Sequence, residues 1–240
     1  MDTEKIATML IEMNKMLLGK KAYIKEYKKL RKLHSEILDS MNDYMSTGKY
    51  DINEHSDSIS YDLAKEIPNV DLTLDSRNPD DITILDELFI YRNHPEVVSL
   101  TDIYLRNNKF RNKDKIKLLE CMRDSYVSLF KIVDIDFSSG YVTYEDVFTK
   151  KRHKIIDIAM SSTMKVDKKL TIYFYNRIIT FDDISFGTGM HCVMTSDNKQ
   201  LMEFLKKHKN KKRSDFARCI LLYDIAKKEE VFKMNYNNSY

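Results

Sequence analysis

The 240-residue chain is 42% apolar and 32% charged, with only 5 Gly and 3 Pro. That composition supports a packed core of long regular elements and excludes a collagenous or loop-rich repetitive fold. Net charge is +3, which selects no class of partner, and no window reaches the roughly 18 apolar residues of a membrane helix. Cys121, Cys192 and Cys219 are odd in number and widely spaced, which argues against a disulfide scaffold and for reduced thiols in a cytoplasmic compartment.

Charge is unevenly distributed. Residues 1–50 carry 10 basic and 7 acidic side chains, residues 51–104 carry 3 against 13, and residues 105–240 carry 27 against 17. The chain is therefore polarised into an acidic middle and a basic C-terminal half. Such halves either steer partners or complement one another.

The first segment, MDTEKIATMLIEMNKMLL, is interrupted by charges and lacks the pattern of a signal peptide. Ile6, Leu10, Met13 and Leu17 recur at helical spacing over residues 3–18. Gly19 either ends that helix or is tolerated inside a longer one. Ile24, Tyr27, Leu30, Leu33, Ile37, Met41 and Tyr44 continue the stripe to about Met45. Residues 1–47 read as a helical arm or hairpin, packed internally or forming a homodimer through Ile6, Leu10, Met13, Leu17, Ile24 and Tyr27. The register drifts near Arg31, which favours ordinary helix packing over a strict heptad zipper.

Residues 48–130 form an acidic helical region by pattern. A loop over 46–56 leads to a short helix ending before Pro68, and Asn78-Pro79 and His94-Pro95 both read as helix starts. The second of these predicts a helix reaching about Asn107. Asn112 precedes a helix expected over KDKIKLLECMRDSYVSLF, with Ile116, Leu119, Met122, Tyr126 and Leu129 on one face.

Residues 131–195 alternate with period two and read as five or six short antiparallel strands. They are expected over 132–137, Tyr141–Phe148, His153–Met160, Leu170–Phe181, Ile184–Phe186 and Met190–Met194. A small barrel would remove the exposed edges of such a set. Residues 196–240 then read as basic C-terminal helices, the first opened by Asp197 and Gln200 at capping-box spacing. The fold class is α+β: a helical N-terminal half, a small antiparallel β-barrel-like module and C-terminal helices.

Within the β-module, GYVTYEDVFTKKRHKIIDIAMS and YFYNRIITFDDISFGTG resemble a small β-module of uncharacterised bacterial proteins, some of which also carry a SEC-C zinc motif. The resemblance covers about 60 residues and implies a compact β-module of bacterial or phage-like origin. The cysteine cluster of the zinc motif is absent here, so no zinc is implied.

Candidate chemistry is sparse. His191 and Cys192 are adjacent on a strand and point to opposite faces, which suits no metal. A Cys192–His153 nucleophilic pair lacks anything that would lower the thiol pKa. The paired carboxylates Asp80-Asp81, Asp86-Glu87 and Asp182-Asp183 fit helix starts and turns. Gly187-Thr188-Gly189 lacks the third glycine and helix of a phosphate loop. No metal, cofactor or catalytic residue is expected.

Two basic clusters stand out. Lys150, Lys151, Arg152 and Lys154 mark a hairpin tip, and Lys206, Lys207, Lys209, Lys211, Lys212 and Arg213 lie between the C-terminal helices. The expected function is a non-enzymatic cytoplasmic interaction protein that binds a macromolecular partner, with a protein partner foremost. Nucleic-acid binding through these two clusters is the alternative. A further alternative makes the acidic middle a mimic of a phosphate backbone that occupies a nucleic-acid-binding partner.

Overall fold

The computed structural model describes residues 3–48, 87–91, 98–163, 171–189, 191–208, 220–221 and 223–225, with helical side chains described from Tyr23 onward. Helix α1 runs unbroken over Thr3–Ser46, so Gly19 is tolerated inside it. A π-helical turn, Glu87–Tyr91, precedes α2 at Leu100–Asn107 and α3 at Lys113–Arg123. Strands β1 Tyr126–Asp136, β2 Tyr141–Asp146 and β3 Arg152–Ile156 follow, then the short helix α4 at Ile158–Thr163. Strands β4 Ile172–Phe181, β5 Ile184–Gly187 and β6 His191–Thr195 lead to α5 at Lys199–His208.

Four element boundaries differ from the sequence pattern, each for a local reason. The helix expected to run through Phe130 stops at Arg123, where the Asp124 amide bonds the Glu120 carbonyl at 3.0 Å. Aromatic and β-branched residues then take over as β1, which sends Leu129 and Phe130 into different clusters on either side of the barrel wall. The strand expected through Met160 ends at Ile156, because Asp157 accepts the Met160 amide at 2.9 Å and opens α4. The start of α2 falls at Ser99, whose hydroxyl accepts the Asp102 amide, while the His94-Pro95 signal lies outside the described residues. Likewise α5 is capped by Asn198, which accepts the Leu201 amide at 2.8 Å, one residue beyond the expected Asp197.

The strands close into a five-membered ring, β1-β2-β3-β5-β4, with β4 returning to β1 and β6 added beside β4. All pairings are antiparallel except β3–β5, which is parallel through the one partner pair Ile156↔Phe186. Strand β1 is long enough to serve both halves of the ring. Tyr126 to Lys131 pair with β4, Phe130 to Asp136 pair with β2, and a bulge at Val133 supplies the bend. The interior holds Phe130, Val142, Tyr144, Ile155, Phe174 and Ile178, with Met160 of α4 joining the same cluster. Gly140 takes φ +79 at the β1–β2 turn, and its carbonyl accepts the Asp157 amide at 3.1 Å, tying that turn to the start of α4.

Two flanks of the barrel are covered. Outward-facing Ile156, Ile179, Phe181, Ile184 and Phe186 pack in one cluster with Leu30, Leu33, Ile37 and Met41 of α1 and Leu118, Leu119 and Met122 of α3. The Phe186 ring meets Tyr27 and His34 edge-on at 6.4 and 5.9 Å, and Arg31 lies over it and donates to the Gly187 carbonyl at 2.8 Å. The second half of the α1 stripe is thus buried within the chain. Of the residues named for a dimer, Tyr27 packs on the barrel and Ile24 is half-buried, while the side chains of Ile6, Leu10, Met13 and Leu17 lie outside the described ones. On the opposite flank, Leu129, Tyr175 and Met194 pack with Leu201 and Phe204 of α5 and with Ile220 and Tyr223. Among the described residues no helix is long and apolar enough to cross a membrane.

Candidate functional site

Between the covered ends of these strands, the outward side chains of β1, β2 and β3 are charged or polar: Lys131, Asp134, Thr143, Glu145, Arg152 and Lys154. Their cross-strand pairs follow from register. Lys131 lies opposite Glu145 and Glu145 opposite Arg152. Asp134 lies opposite Thr143 and Thr143 opposite Lys154 in the next rung. Glu145 bridges its rung, with Lys131 Nζ at 2.9 Å and Arg152 Nε at 3.4 Å, and these cations hold its carboxyl below the usual range. Lys154 reaches back over the Tyr141 ring at 4.1 Å, and the other neighbour of that ring is Tyr23 of α1 at 4.9 Å. Phe137 in the β1–β2 turn is 61% exposed and Val133 at the bulge 37% exposed, so the basic column of β3 has apolar neighbours on the same module.

The hairpin tip is built by Asp146. Its buried carboxylate accepts the amides of Phe148 and Thr149, both at 2.7 Å, and the hydroxyl of Tyr126. Burial alone would raise its pKa, but the Tyr126 hydroxyl and the turn amides outweigh burial and hold it low. The same arrangement, led by burial, pushes the Tyr126 phenol up to about 12. Lys150 sits at φ +65 in this turn, exposed, and the Lys151 carbonyl accepts the Asp146 amide at 2.9 Å. All four hairpin cations therefore lie on one continuous stretch: Lys150 and Lys151 at the tip, Arg152 and Lys154 on the outer face of β3.

The second basic cluster is only partly described. Lys206 and Lys207 are exposed near the end of α5, and Lys209, Lys211, Lys212 and Arg213 lie outside the described residues. Leu201, Phe204 and Leu205 of α5 share a cluster with Val147 and Phe148 of the hairpin, so α5 packs against the turn that carries Lys150. The acids proposed as a phosphate mimic lie almost wholly outside the described residues. The one with a described side chain, Asp102, is buried and paired with Arg106.

At the end of the barrel away from α4, β1, β3 and β4 open beneath α3 into a cleft of about 700 Å³. Tyr126, His153 and Ile178 come from the barrel, Thr149 and Lys151 from the hairpin, and Lys117, Glu120, Cys121 and Asp124 from one face of α3 and its C-cap. The Tyr126 and His153 rings are stacked, 5.6 Å apart at 21°. Burial, helped by Lys151, lowers the His153 pKa below the ordinary imidazole value, which favours the neutral ring. Its Nε2 is buried with no hydrogen-bond partner among the described residues. Burial also raises the Cys121 pKa, which makes it a poor nucleophile, and the Cys192 side chain lies outside the described residues. Among the described residues no group of three or more His, Cys, Asp or Glu is placed to hold a metal ion.

Sequence reasoning found the hairpin cations from their density but missed the cleft. Its walls come from residues 117–126, 149–153 and 178–180, and no local signal joins those segments.

The ring order, the parallel β3–β5 contact and the helix between β3 and β4 define the class: a closed five-stranded β-barrel covered by helices on two flanks, an α+β fold. Connectivity of this kind describes architecture and leaves the ligand to be argued from the site. The chain belongs to the family described as "Family of unknown function (DUF7986)", which matches residues 21–236 and so takes in the barrel and both helical covers. No curated protein and no solved structure matches the chain.

Proposed function

We propose that this protein is a non-enzymatic binding module whose ligand is single-stranded nucleic acid, held along β3 and the β2–β3 turn. The observation that carries this reading is the run of exposed cations Lys150, Lys151, Arg152 and Lys154, alongside a cleft with stacked rings in its wall. Cations on a sheet supply phosphate contacts, and aromatic or apolar side chains supply sequence-tolerant stacking. Phe137 and Tyr141 are the side chains on the open module suited to stacking, the second once Lys154 moves from its ring to a phosphate. Lys206 and Lys207 are two further exposed cations, on α5, which packs against the hairpin turn.

The test is fluorescence anisotropy with labelled oligothymidylate and an unstructured RNA across a salt series. Four phosphate contacts predict a slope of log affinity against log salt of about −3. Arg152→Glu with Lys154→Glu should reduce that slope to about half and weaken binding at least about tenfold at low salt. Absence of binding at about 50 mM salt would end the reading.

A further inference from the structure

We infer that the cleft beneath α3 is a pocket for one unstacked nucleotide of the bound strand, its base against Tyr126, His153 and Ile178 and its phosphate at Lys151. This deepens the strand-binding reading and rests on it. A nucleobase has flat faces, an edge of donors and acceptors, and a phosphate a few ångströms away, and each part has a counterpart here.

The stacked Tyr126–His153 pair and Ile178 supply flat and apolar surface. His153 Nε2 lacks a hydrogen-bond partner among the described residues, an uncommon state for a buried ring nitrogen. A base edge would satisfy it after a small ring rotation. Across the cleft, the Glu120 carboxylate has no ion-pair partner among the described residues and would accept from an exocyclic amine or ring N–H.

Lys151 is the matching cation. It is exposed, lines the cleft and carries no ion pair among the described residues. Lys117, the other cation in the lining, is already committed to Asp182 and to the Phe181 ring at 4.8 Å. The cleft's volume of about 700 Å³ lies within the range of small-molecule sites and exceeds the needs of a single base, which leaves room for sugar and phosphate. Location supports the same ligand: Lys151 and His153 alternate along the chain with Arg152 and Lys154, so a strand following β3 passes the cleft mouth.

The experiment compares oligothymidylate with an abasic strand of equal length, using the full chain, Thr180→Phe and Lys151→Glu. Thr180 is exposed at the cleft rim, so the phenyl ring fills the opening without entering the core. The full chain should prefer the thymidylate strand by about tenfold, and Thr180→Phe should erase that preference while retaining abasic binding. Independently of any variant, uridine monophosphate should slow alkylation of Cys121, read by peptide mass mapping, because that thiol lines the cleft. Equal affinity for the two strands, together with unprotected Cys121, overturns the pocket and leaves the β3 reading intact. Loss of all strand binding in the full chain removes the β3 reading and, unless the mononucleotide protects Cys121, the pocket with it. If Thr180→Phe does not fold, Lys151→Glu takes its place and should reduce mononucleotide protection of Cys121 at least about fivefold.

Discussion

The two sides of one barrel wall solve opposite problems. Where β4 and β5 turn outward they present Ile179, Phe181, Ile184 and Phe186, and α1 and α3 are laid over them. Along one patch of β1, β2 and β3 the outward side chains are Lys131, Glu145, Thr143, Arg152 and Lys154, with Arg152 and Lys154 exposed. An apolar outward face costs stability unless something buries it, whereas a cross-strand ladder of opposite charges stays in water at little cost. Covered wall therefore carries the stability of this protein, and the charged patch contributes little to it.

Phe186 anchors the covered flank. This ring is fully buried between β5 and Tyr27, Arg31 and His34 of α1. Phe186→Ala should cost about 3–5 kcal/mol, read as a lowered urea midpoint with loss of the α1 contact. A loss below about 1 kcal/mol would mean that α1 does not hold the barrel as described.

Acid should loosen the same covered flank. His34 is buried, bonded to the Tyr91 hydroxyl at 3.0 Å, and burial, with Arg31 adding to it, lowers its pKa from 6.5 to about 3. Between those values the unfolded chain binds a proton that the folded chain excludes. The stability is thus complete above about pH 6.5 and falls as pH drops, by up to about 1.4 kcal/mol per unit from this group. Urea midpoints at pH 7 and pH 5 measure the effect, and His34→Gln should flatten the slope. Equal wild-type midpoints at the two pH values would contradict the assignment.

The charged patch should respond far less. Glu145→Gln removes both ion pairs of its rung, yet these are partly exposed and should be worth less than about 1 kcal/mol. The same change frees Lys131 and Arg152 from a competing carboxylate, so nucleic-acid affinity should rise a few-fold. A fall in affinity would place the ligand elsewhere.

Much of this architecture was legible in the chain. Period-two alternation between residues 132 and 194 located all six strands, because each side of a barrel wall selects a different polarity. The α1 stripe from Leu30 to Tyr44 marked a buried face, and the density of Lys150 to Lys154 marked an exposed one. Short-range signals failed where two structures compete for the same residues. Tyr126 and Leu129 fit a helix stripe as well as a strand, and pairing with Ile178 and Tyr175 of β4 decided for the strand. His153 reads as an ordinary strand residue until Tyr126 stacks on it.

By itself, then, the sequence determined most of the helical and strand segments, which faces are apolar and where cations gather, because these depend on residues a few positions apart. Tertiary structure alone decided the ring order, which flank is covered, and that Cys121, Tyr126, Lys151, His153 and Ile178 share one cleft. Those outcomes require closing loops of tens of residues, and their free energy lies in contacts that no local pattern encodes.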